Sequence, residues 1–102
     1  MSESSKDAAV LSSTSNVAVV QLPGRKFPGS VIQGDSLSIL FDLACVVEDH
    51  ASESSNVELT EAARELRELI EGRLRAYDEV LMQRGVARPY TPPKWRASEA
   101  EE

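Results

Sequence analysis

The chain has 102 residues, 41% of them apolar and 27% charged, with 11 basic against 17 acidic side chains and a net charge of −6. That length holds one small domain, and an excess of acid suits a nucleic-acid backbone poorly, because phosphate binding needs clustered Lys and Arg. A single cysteine excludes an internal disulfide. The longest apolar run lies within residues 37–47 and falls far short of the ~20 residues of a membrane span.

Residues 1–15 carry six Ser and one four-residue apolar patch at 8–11. They lack the basic start and the apolar stretch of roughly 7–15 residues that make a secretory signal. The expectation is a disordered tail on a cytoplasmic protein, because so little apolar surface cannot offset the cost of ordering the chain. Residues 16–92 are predicted to form a single α+β domain, and 93–102 a disordered acidic tail.

The Val-rich stretch 16–22 reads as a strand and 30–33 as a shorter one. Between them, Pro23-Gly24-Arg25-Lys26-Phe27-Pro28-Gly29 has a Pro-Gly pair at each end, and each pair punctuates the chain. A two-stranded antiparallel hairpin with a basic loop follows. Gly34, Asp35 and Ser36 then open a helix, in which Asp35 or Ser36 can accept from the first free amides. From Leu37 to Val47, eight of eleven residues are apolar, and Ser38, Asp42 and Cys45, with Asp49 just beyond, fall on one narrow stripe. Such a helix is expected to be covered on more than one side, with its polar seam outward.

Residues 51–56 read as a loop. A second, longer helix starts near Val57 or Leu59 and runs to Arg84, stopped by Gly85 and by Pro89 soon after. Its apolar positions repeat at three-four spacing, while Arg64/Glu68, Arg67/Glu71, Glu71/Arg75 and Arg75/Glu79 stand four apart on the other face. The order is ββαα. The second helix outruns the first, so the stripe from Tyr77 to Leu81 needs a cover. Either the Pro-rich strap at 88–96 folds Tyr90 and Trp95 back over it, or a homodimer shares helices. Pro89 and Pro92 also fit a polyproline-ligand spacing.

Chemistry finds little support. His50 is the only histidine and Cys45 the only cysteine, and five residues apart they occupy different faces of a helix. Asp35, Asp42 and Asp49 are seven apart, ~10 Å steps on a helix, too far to share an ion. No Gly-rich phosphate cradle is present. The expectation is a protein without catalytic, cofactor-binding or metal-binding residues. Charge is more informative: residues 35–61 hold seven acids and no Lys or Arg. Asp42, Glu48, Asp49 and Glu53 are therefore the candidate partner-binding residues, suited to a basic protein partner. Two alternatives stand beside this one. Arg25, Lys26 and Phe27 could form a loop that binds a small ligand or anion, and the chain could be a purely structural oligomer subunit.

The run AVVQLPGRKFPGSVIQGDSL at 18–37, the long charged helix and the closing VARPY at 86–90 resemble a family of small bacterial proteins of unknown function, which implies no activity, cofactor or site. Residues 17–47 are also similar to HicB-like antitoxins: a strand, Phe27-Pro28-Gly29, a short strand ending in Gln33-Gly34-Asp35-Ser36, then an apolar helix. That resemblance implies a truncated ribonuclease-H-like fold without nuclease activity, which binds and blocks a small basic toxin that cleaves messenger RNA. Here the second long helix stands where that family continues with a further strand and a DNA-binding module.

Overall fold

The computed structural model describes residues 7–12 and 18–91, which divide into one unit ending at Gln33 and one starting at Gly34. In the first, strands β1 (Ala9–Ser12), β2 (Ala18–Gln21) and β3 (Gly29–Val31) form an antiparallel sheet in the order β1-β2-β3. The predicted hairpin is β2 with β3, in register Ala18↔Val31 and Val20↔Gly29. Gly24 takes a φ of +76°, a left-handed conformation suited to glycine. The Gln21 side-chain amide donates to the Arg25 carbonyl at 2.8 Å, which pins the loop against its own strand.

A third strand corrects the two-stranded expectation. β1 pairs with β2 through Ala9↔Gln21 and Val10↔Val20, with a shift in register between Val10 and Ser12. It lies in the stretch whose composition suggested a tail. All four of its residues are exposed, so backbone pairing rather than side-chain burial holds it, and composition does not register that kind of stabilisation.

The second unit is an antiparallel helical hairpin of α1 (Gly34–Ser52) and α2 (Val57–Arg84). α2 begins and ends where the sequence expects. The Asn56 side chain accepts from the Leu59 amide at 3.0 Å, and Gly85 closes the helix at φ 67°. α1 continues to Ser52, beyond its predicted end. From the first turn of α2 the Thr60 hydroxyl lies 3.0 Å from the carbonyls of both Ala51 and Asn56.

Leu37, Phe41 and Leu74 form the core, with Cys45, Ile70, Tyr77 and Tyr90 packed against them. Nearer the loop, buried Ala44, Ala51 and Ala63 let the helices approach. α2 covers only one side of α1. The expectation that α1 would be covered on more than one side is not met: Ile39, Leu43 and Val46 are each more than half exposed. The overhang of α2 does have its cover, because Tyr90 of the strap packs on Tyr77, with ring centroids 6.3 Å apart and planes tilted by 41°.

Gly34, at the start of α1, lies against the Tyr77 side chain of α2. A Cβ there would enter the Tyr77 ring, so glycine is required by close approach rather than by a special φ. Gly34→Ala should destabilise the protein by about 1–3 kcal/mol, the range for overfilling a packed site. Chemical denaturation checks this, and adding Tyr77→Leu should recover much of the loss.

Candidate functional site

The strap is held by a buried charge. Asp78 on α2 has no exposed surface, and Arg88 grips its carboxylate from two nitrogens, Nε to Oδ1 and Nη2 to Oδ2. The Tyr90 hydroxyl donates to the same Oδ1 at 3.1 Å. Burial, and then the bond to Asp78, push the Tyr90 phenol up to about 12. This latch fixes Pro89, Tyr90 and Thr91 beside α1.

Fixing the strap there creates a groove of about 570 Å³. α1 supplies Asp35, Asp42 and Asp49, together with Ser38 and Cys45. Phe41, Leu74 and Tyr90 give it an apolar lining. The polar seam of α1 thus faces the groove. The carboxylates stand one heptad apart, ~10 Å from one to the next, and Asp35 also accepts from the Ser36 amide at 2.8 Å.

The four predicted partner-binding acids do not act as one cluster. Asp42 and Asp49 line the groove. Glu53 is exposed in the interhelical loop. Glu48 instead points across to α2, where Arg67 donates to it at 2.8 and 3.3 Å. Arg67 also reaches Glu71 at 2.6 Å, and Glu71 accepts from Arg75 at 2.7 Å. The hydrogen bond from Arg67 holds the Glu48 carboxyl below its ordinary value. Burial pushes Glu71 the other way, but hydrogen bonds from Arg75 and Arg67 outweigh it and leave that carboxyl lowered. Glu48 therefore ties the helices together, a role invisible without knowing which residue of α2 faces it.

Cys45 and His50 are separated as their spacing implies. Cys45 lines the groove, whereas His50 lines a second pocket with Val46, Val47, Ala51 and Leu59. Its Nδ1 sits 3.0 Å from the Val46 carbonyl, which can only accept. Arg25, Lys26 and Phe27 are all exposed on the β2–β3 loop, with the Lys26 ammonium 5.4 Å from the Phe27 ring centre. Among the described residues no three His, Cys, Asp or Glu side chains converge as a metal site would require, and no helix is long and apolar enough to cross a membrane. Trp95 and the second half of the polyproline pattern lie outside the described residues.

These features define an α+β protein: a small antiparallel sheet followed by a helical hairpin with a latched C-terminal strap. The chain belongs to a family of unknown function, DUF6959, whose profile matches residues 3–90 and so spans both units and all three latch residues. No curated protein and no solved structure matches the chain.

Two measurements test the latch. Arg88→Ala leaves the Asp78 carboxylate buried without its cation and should cost about 3–5 kcal/mol in denaturation experiments. The double variant Asp78→Leu with Arg88→Met, which removes both charges, should be markedly less damaged. Tyr90 gives a pH signature. Its folded-state value lies above the ordinary 10.0, so its contribution is complete below pH 10 and is lost as pH climbs toward about 12. Tyr90→Phe lacks that contribution at every pH. The stability gap between the two proteins should close over this interval, and a gap that persists would show that Tyr90 does not titrate as the latch requires.

Proposed function

We propose that this protein is a non-catalytic protein-interaction domain of the cytoplasm, antitoxin- or immunity-like in mode, whose acidic α1 stripe holds a basic partner. The groove carries this reading. Asp35, Asp42 and Asp49 lie along it in one line, beside the exposed apolar side chains of Ile39 and Val46. A basic segment laid there would match charge to charge and remove apolar surface from water. The surrounding sequence strengthens the field, since residues 35–61 hold seven acids and no Lys or Arg. Long-range attraction of this kind acts chiefly on encounter rate and on the choice of partner. The resemblance of residues 17–47 to HicB-like antitoxins supports the same reading, because those proteins work by occupying a basic partner.

The test uses substitutions at two exposed positions, Asp42→Lys with Asp49→Lys. Glu48 is left intact because of its bond to Arg67. The tagged full chain is co-expressed with the products of neighbouring genes. A basic protein should co-purify with the unaltered chain, and the double reversal should lose it. Equal retention by both would remove the acidic stripe as the binding surface.

A further inference from the structure

The stripe of α1 that faces the strap groove alternates in character. Ile39, Asp42, Val46 and Asp49 follow one another at three- and four-residue steps, apolar then acidic, and all four are exposed along the groove. Asp42 and Asp49 stand on either side of Val46, ~10 Å from each other. Among the described residues neither of these two carboxylates has a hydrogen-bonding or ionic partner.

The strap leads the chain into this groove. Arg88 and Tyr90 both reach back to Asp78, so the strap runs against α2 and, the two helices being antiparallel, in the same direction as α1. The described residues end at Thr91, itself part of the groove lining. From there the sequence continues Pro92-Pro93-Lys94-Trp95-Arg96. Paired prolines exclude helix and favour an extended path that advances ~3.1 Å per residue. On such a path Lys94 comes ~9 Å past Thr91 and Arg96 ~15 Å past it, a span equal to about three turns of α1.

We infer that residues 94–96 of this same chain occupy the groove, with Lys94 and Arg96 paired to Asp42 and Asp49 and the Trp95 ring laid on Ile39 and Val46. Base, aromatic, base then meets acid, apolar, acid. The inference deepens the partner-binding role proposed above by giving it a regulator, and that regulatory half rests on it: an incoming basic partner has to displace a resident basic segment. Tethering favours this occupant over any free one. A ligand on so short a spacer acts at an effective concentration on the order of millimolar, so contacts too weak to join separate molecules suffice. The indole covers the larger apolar area, on side chains that are otherwise 59% and 52% exposed. The ion pairs, open to solvent, fix direction and register more than strength.

Trp95 is the sole tryptophan, so its fluorescence in the full chain reads the groove directly. Its emission should be blue-shifted, and resist quenching by acrylamide, relative to a synthetic peptide of residues 92–102. Asp42→Lys with Asp49→Lys should abolish both effects, and so should Lys94→Glu with Arg96→Glu. All four substitutions together restore opposite charges and should recover the protection. Glu61→Lys with Glu65→Lys, exposed on α2, changes the net charge equally and should leave Trp95 as it was; circular dichroism checks that each variant folds. Emission and quenching in the unaltered chain equal to those of the peptide overturn the inference. Protection that survives both charge reversals also overturns it, by placing the ring on another surface, and protection lost on dilution would make the segment a second copy's. Where a basic protein co-purifies, Lys94→Glu with Arg96→Glu should raise its yield, and an unchanged yield overturns the displacement. A Trp95 signal that obeys the charge swap with no protein captured sustains the resident segment and removes the partner. A captured partner with Trp95 as quenchable as in the peptide does the reverse.

Discussion

The Asp78 carboxylate is the constraint from which the helical unit takes its shape. A fully buried charge is tolerated only with a counter-charge and hydrogen bonds around it, and its partners Arg88 and Tyr90 lie ten and twelve residues further on. Satisfying Asp78 therefore requires the chain after Gly85 to turn back along α2. Once it does, Tyr90 covers Tyr77, the Tyr77 ring closes over Gly34, and Pro89, Tyr90 and Thr91 stand beside the acidic stripe of α1. The groove is a consequence of the latch. The strap contains proline and makes no helical hydrogen bonds of its own, so the latch and the packing of Tyr90 on the core hold it.

The hairpin divides its stabilisation between two kinds of contact. Its apolar core is small: Leu37, Phe41 and Leu74, with alanines toward the loop. On one flank a chain of charge crosses from Glu48 through Arg67 and Glu71 to Arg75. Glu48 and Glu71 are only about a quarter and a fifth exposed, so their lowered carboxyl values reflect real pairing, although solvent still tempers its strength. The other flank, among the described residues, is built largely of leucine and valine.

Much of the helical unit is legible because local chemistry dictates it. Asn56 and Gly85 bound α2 through hydrogen bonds that depend on those residue types alone, and the apolar spacing between them sets the buried face. Tyr90 was readable as a cover for the overhang because the overhang was readable. What escaped depends on partners distant in sequence. Asp78 sits in the apolar stripe of α2 as an apparent exception, and only Arg88 and Tyr90 explain it. Glu48 looks like one more acid in an acidic window until Arg67 is opposite it. Gly34 passes for a helix opener until Tyr77 crosses above. β1 escaped for another reason: its four exposed residues are held by backbone pairing, to which side-chain pattern is blind.

The open face of the hairpin differs from the back of α2. Where α2 faces water away from α1, it uses Glu61, Glu65, Glu68 and Glu79, residues that hold a helix in water at little cost. Leucine at 43, 66 and 69 is instead only about half covered. Each such side chain held in water forgoes about 1.5–3 kcal/mol of burial, and a contiguous apolar patch invites association.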